Sequence, residues 1–161
     1  MRKILLSLAV SLSLAVVPAV GQAATKKASR ASGEQQVLLL LNEIRGQHGL
    51  SSFTANTQLR SAARFHSEDM LQHGYFDHDS PSEAWDVRVN RYIKAPLVGE
   101  DLAWGTGSYG TPEGIVTQWM HSATHRAIIL TAGLHRVGIG LATGTFDGSA
   151  GAVMATADFA A

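Results

Sequence analysis

The chain has no cysteine among its 161 residues. That excludes a disulfide framework, a thiol nucleophile and a cysteine metal ligand. Any metal site must then be built from His, Asp or Glu, which narrows the ion to zinc and others that accept imidazole and carboxylate. An excess of one charge is also lacking, with 13 basic and 13 acidic residues. With no basic stripe either, nucleic acid is not expected as a partner. No Gly-x-Ser-x-Gly elbow is present to expose a serine nucleophile. Only one long apolar run occurs, and it lies at the start of the chain.

That run has the layout of an export signal. Arg2 and Lys3 form a charged start, residues 4–20 an apolar core, and Gly21-Gln-Ala23 a small-residue site for cleavage after Ala23. The core is short for a membrane span, which needs about 20 residues. No cysteine follows it, so a lipoprotein-type anchor is not expected. Residues 1–23 are therefore expected to be removed on export, leaving a soluble periplasmic or extracellular chain of 11 basic and 13 acidic residues. Residues 24–33 are small, polar and basic and read as a flexible lead-in. Residues 34–161 suffice for one domain with a real core.

Apolar spacing predicts a helix over residues 34–46 and a second from Asn56 or Thr57 to about His73, stopped by Gly74. Residues 75–82 read as a loop, followed by a short helix over 83–92 capped by Ser82. Residues 98–104 read as a strand. Thr111-Pro-Glu113 is a strong helix start, and a turn near Ala123 leads into another helical run. Residues 137–142 and 152–159 read as strands joined by a Gly-rich loop over 143–151. Helices first and strands last indicate an α+β fold rather than a parallel wind.

Several phrases carry His or acidic residues. His121 and His125 are four apart, as in a zinc-protease helix, but the Glu that should follow the first is Ser122. Ser122 with His125 as nucleophile and base lacks the surrounding motif, and a capping role fits Ser122 better. Gly105-Thr-Gly-Ser-Tyr-Gly110 matches a dinucleotide fingerprint in letters, without an enclosing βαβ unit. His66 sits among apolar residues at helical spacing and reads as a core histidine, while Glu68 and Asp69 read as that helix's solvated face. Trp119 reads as core and Trp104 as partly exposed.

The order of the phrases resembles the family of cysteine-rich secretory proteins, antigen 5 and plant pathogenesis-related proteins, in its cysteine-poor bacterial branch. The matching parts are Leu41-Asn-Glu-Ile-Arg45, Ala63-Arg-Phe-His-Ser-Glu-Asp-Met70, Tyr75-Phe-Asp-His-Asp-Ser80, Arg88 with Tyr92, Gly99-Glu-Asp-Leu-Ala-Trp104, Trp119-Met-His-Ser122, His125-Arg126 and Val137-Gly-Ile-Gly140. The resemblance implies a three-layer α–β–α sandwich with a central antiparallel sheet. It also implies a cleft lined by two His and two acids. His78, Glu100 and His125 match three of these, and Ser122 stands where the second acid would be. Asp101 replaces the Asn that follows the acid in the family phrase.

Two imidazoles and a carboxylate would leave an open position on zinc or another divalent cation. Such an ion would lower the pKa of a bound water and make hydrolysis thinkable. The alternative is a hydrogen-bond cluster in which His78 and His125 tie loops to the sheet through Glu100. The expected function is binding rather than catalysis, of a divalent metal or of the lipid, sterol or cell-envelope ligands that the resemblance suggests. A metal-assisted hydrolase of peptide or envelope material and a protein-interaction module without chemistry are the alternatives.

Overall fold

The structure is a computed structural model that describes residues 19–161. Most of the expected export signal lies outside the described residues. Helix α1 spans Ala19–Gln47, α2 Thr57–His73, α3 Trp85–Tyr92, α4 Pro112–His121 and α5 Ala123–Ile129. Strands are β1 Thr54–Ala55, β2 Val98–Gly105, β3 Arg136–Phe146 and β4 Ser149–Ala160, in the sheet order β1-β3-β4-β2. The expected lead-in over residues 24–33 is helical backbone, so α1 begins well before Glu34.

Alternation along the strands sorts the core into two layers. Ala103, Ala155, Ala157 and Phe159 face one way and pack with Val37, Leu41, Ile115, Trp119 and Ile129 from α1, α4 and α5. Leu102, Met154 and Ala160 face the other way, toward Met70 and Leu59 of α2 and Val89 of α3. The three-layer α–β–α sandwich therefore forms as expected. Its sheet is mixed rather than wholly antiparallel: β2, β4 and β3 pair antiparallel, and β1 adds a parallel edge beside β3. Two exposed residues give β1 no alternation to read, so the sequence pattern misses it.

Helix ends follow local chemistry. Asn56 caps α2 by accepting from the amides of Gln58 and Leu59. Thr111 caps α4 ahead of Pro112. Ser82 does not cap α3. Its first amide, that of Trp85, is taken by Asp79 Oδ1 at 2.8 Å, and the helix starts two residues late. The buried Arg45 closes the far end of α1 by donating to the carbonyls of Ser51, Ile129, Thr131 and Leu134, with its guanidinium 3.9 Å from the Phe53 ring centre.

The expected loop over 143–151 is mostly strand. Asp147 and Gly148, at φ 47° and 73°, make a two-residue turn between β3 and β4. An Asp-Gly pair with both residues in the left-handed region suits the right-handed twist of a hairpin. The register shift beside Gly144 adds a bulge opposite it.

Helix α2 lies directly on the β3 main chain. A Cβ at Gly138 would sit 1.9 Å from the Arg60 amide nitrogen, and one at Gly140 would sit 2.2 Å from the Ala63 carbonyl carbon. No side chain fits there, which explains the Val137-Gly-Ile-Gly140 pattern. Ser67 uses the same closeness to donate to the Gly140 carbonyl at 3.0 Å and to Thr156 Oγ1 at 2.8 Å. Gly140→Ala should lower stability by about 3 kcal/mol or more in a urea melt, because backbone on both sides must move. Gly46→Ala, in helical backbone with open space around it, should raise stability by about 0.5–1 kcal/mol.

Candidate functional site

Strand β2 carries Glu100 on the face that α2 covers, beside Asp158 of β4, its partner in register. The 75–82 loop, running from α2 to α3, brings His78 over this pair. Nδ1 of His78 lies 2.8 Å from Oε1 of Glu100. A carboxylate only accepts here, so Nδ1 holds a proton, and in the neutral ring Nε2 keeps its lone pair. The second Glu100 oxygen is held by Arg88 Nη2, and Arg88 Nη1 donates to the His78 carbonyl at 2.9 Å. Arg88 is fully buried and Glu100 nearly so, whereas the His78 side chain is 45% exposed. Thus the pair is anchored in the core and shows one imidazole edge to solvent.

His125 opens α5 from the far side of the sheet edge. Its ring makes no hydrogen bond to any described residue, and it is half-buried. Burial and the nearby charge of His78 both lower its pKa. Ser122 is the α5 cap, accepting from the His125 amide at 3.5 Å and contacting Thr124 Oγ1 at 2.9 Å. A cavity of about 310 Å³ borders the site, lined by His78, Glu100, Trp85, Leu97, Ile128 and Leu134 among others. His125 and Ser122 do not line it.

His66 is buried, as a core histidine should be. Its partner is nonetheless part of the site's frame: Nε2 donates to the Asp77 carbonyl at 2.9 Å. Asp69, expected on a solvated face, instead accepts the Tyr75 hydroxyl, and only Glu68 is open to solvent. Trp119 is core, and Trp104 is half-buried against Phe146 at 5.0 Å.

Two residues were missed as members of the site. Arg88 lies one turn from both Trp85 and Tyr92 on the inward side of α3, a placement that helical spacing makes readable. Asp158 shows no such signal, because an acid near the end of an apolar strand looks like an exit to solvent. It is in fact completely buried, and no donor among the described residues faces either of its oxygens. Burial first, and then the Glu100 charge, raise its pKa far above the carboxylate range. Asp158 therefore keeps its proton and offers it to Glu100. Burial pushes against ionisation of Glu100 as well, but the His78 hydrogen bond and the Arg88 charge prevail, and its pKa is lowered. The buried group thus sums to one cation, one anion and one neutral acid.

On the opposite face of β2, Asp101 is buried, and neither of its oxygens has a hydrogen-bond partner among the described residues. Burial, with Glu100 adding to it, pushes its pKa up to about 8. The His78 pKa is raised, chiefly by the Glu100 hydrogen bond, against burial.

The signs combine simply. Asp101 and Asp158 hold protons that the unfolded chain releases near pH 4, so stability falls as pH rises above that point. The His78 contribution is full below about 6.5 and is lost as pH rises through its raised folded value. The Glu100 contribution is lost as pH falls through its lowered folded value. Burial lowers the pKa of His66 and of His125, so these two add stability as pH rises toward about 6.5, against the two buried acids. The thermal midpoint should therefore be highest at about pH 4 and decline toward pH 8. Asp101→Asn should flatten that decline and stabilise the protein by roughly 5 kcal/mol at pH 8, with little change at pH 4. Melts at pH 4, 6 and 8 measure both effects.

Metal coordination can be tested against the same geometry. Among the described residues, no three His, Asp or Glu side chains are grouped so as to hold an ion. Glu100 has both oxygens engaged, by His78 and Arg88, and stands behind His78 as the carboxylate that orients it. An ion would then be taken by His78 Nε2 and His125, with Glu100 acting through His78.

Comparison with known proteins bears on the whole arrangement. The uncharacterized protein YkwD of Bacillus subtilis (strain 168) is 35% identical over 109 residues, covering 66% of this chain and 41% of that protein. An extracellular protein containing an SCP domain from Bacillus anthracis strain Ames superposes with a TM-score of 0.74 at 26% identity, over 92% of this chain and 45% of that one. An outer surface protein of Borrelia burgdorferi shares the fold at a TM-score of 0.69 and 16% identity, over 80% of this chain and 91% of its own. The chain spans less than half the length of the curated relatives it matches. The model of the cysteine-rich secretory protein family matches residues 38–159, from the middle of α1 to the end of β4. Fold, phrase order and this match agree, and the chain belongs to the cysteine-rich secretory protein family.

Proposed function

We propose that this is an exported binding protein whose His78–Glu100 site presents an oriented imidazole, with His125, to a divalent cation such as zinc. The observation that carries this reading is the 2.8 Å bond from His78 Nδ1 to a buried carboxylate. A histidine so held has its ring fixed and its Nε2 made more basic, which is what a metal-binding imidazole requires. Export is supported by the signal-like start of the chain and by solved neighbours described as an extracellular protein and an outer surface protein. Among the described residues, no helix is long and apolar enough to cross a membrane.

Calorimetric titration with zinc tests the reading. One site of micromolar affinity is expected, lost in His78→Ala/His125→Ala. Affinity should fall as pH drops from 8 to 6, since the proton competes for Nε2. Binding retained by the double variant would defeat the reading.

A second observation favours an apolar ligand as well. A cavity of about 890 Å³ opens between α1, α2 and the β3–β4 hairpin, with Gly33, Leu71, Pro112, Leu141, Ala142 and Val153 in a mostly apolar wall. Its size suits a lipid tail or similar envelope component. A fluorescent fatty-acid probe should be retained through gel filtration by the wild type and by His78→Ala, and lost by Val153→Trp. Equal retention by Val153→Trp would place the ligand elsewhere. Hydrolysis of peptide or envelope material would need a base besides the metal-bound water, and an interaction module would keep its function in His78→Ala.

A further inference from the structure

The loop that carries His78 is fastened at two successive carbonyls. His66 of α2 donates to the Asp77 carbonyl at 2.9 Å, and Arg88 of α3 donates to the His78 carbonyl at 2.9 Å. Asp77 Oδ1 accepts the Asp79 amide at 3.2 Å, and Asp79 Oδ1 accepts the Trp85 amide at 2.8 Å. Of these fastenings, only Arg88 also touches the side-chain partner of His78, through Nη2 on Glu100. One guanidinium thus holds the His78 main chain and the Glu100 carboxylate at once.

Stability alone does not account for this arginine. A buried ion pair loses about as much in desolvation as it gains in attraction, and well-packed apolar residues often replace one without loss. Arg88 Nε is moreover buried without a partner among the described residues, a further unfavourable contribution. What a planar fork supplies, and neither an apolar residue nor a lysine does, is two bonds at a fixed angle to two acceptors.

We propose that Arg88 is a positioning residue of the site: it locks the His78 backbone and the Glu100 carboxylate into one frame, and so sets which imidazole edge His78 presents to a ligand. The zinc arm of this inference rests on the metal-binding reading above, while the tautomer arm does not.

The test is made on the full chain labelled with 15N, reading the His78 ring nitrogens by long-range proton–nitrogen correlation at pH 8.5, with zinc titration alongside. In the wild type, His78 should be a single tautomer with its proton on Nδ1. Arg88→Lys keeps a cation beside Glu100 but removes the fork. It should give a mixture of tautomers and weaken zinc about 10–100-fold, the range for loss of an orienting partner. Should Arg88→Lys fail to fold, Arg88→Gln reduces the fork to a single amide donor group and leaves Glu100 in place as the acceptor for Nδ1. The same mixture and the same loss are expected there. A single Nδ1–H tautomer in either folded variant, with zinc affinity within about threefold of wild type, would overturn the proposal. A wild type that binds no zinc, yet whose tautomer is lost in the variants, would sink the metal reading and leave the positioning role standing.

Discussion

Helix α2 rests on the main chain of β3 rather than on its side chains, and the rest of the structure depends on that contact. Ordinary helix–sheet layers lie about 10 Å apart because side chains fill the space between them. Here Gly138 and Gly140 remove the filler, and the helix descends until its own backbone meets the strand. The descent brings Ser67 within direct hydrogen-bonding reach of the Gly140 carbonyl. It also carries His66, and the loop after α2, down to the level of Glu100 and Asp158. A bulkier pair of residues in β3 would lift the loop and separate His78 from its carboxylate.

In that buried layer, charges act strongly and must balance. Arg88 and Glu100 neutralise each other, and Asp158 avoids a second negative charge by keeping its proton. The arrangement is thermodynamically expensive, since each ion has left water. Its return is direction: from this buried core, the His78 ring reaches the surface with its orientation already decided. Flexible surface histidines must be ordered by the ligand they bind, and that ordering subtracts from affinity. Asp101, on the other face of the same strand, has no cationic neighbour to offset its burial and is simply held neutral.

Much of this was legible in the sequence, for identifiable reasons. Helices α2 and α4 announced themselves because Asn56, Thr111 and Pro112 are caps whose chemistry is local. His78 and Glu100 were legible as partners through the phrases that hold them, although spacing alone says nothing of the 2.8 Å bond between them. Asp158 was not legible, since its burial is decided by α2 arriving from another part of the chain. Strand β1 escaped because two residues carry no period, and the hairpin loop was overestimated because its glycines serve a bulge and a tight turn within paired strands. Ser122 and His125 share a helix start, where the Ser122 hydroxyl serves as the α5 cap.

The Asp147–Gly148 turn has a bearing on how the molecule could be held or extended. Strands β3 and β4 meet Glu100 at their site end, through the Glu100–Asp158 pair, and then run the other way to the turn. Paired strands of this length at about 3.3 Å per residue put the tip roughly 30 Å from the site. Both turn residues are exposed, and the ladder behind them is continuous apart from one bulge. The turn thus lies at the end of the sheet away from the chemistry. A fluorophore, an affinity tag or a whole second domain grafted at its tip would report on or tether the protein while leaving the imidazole face open.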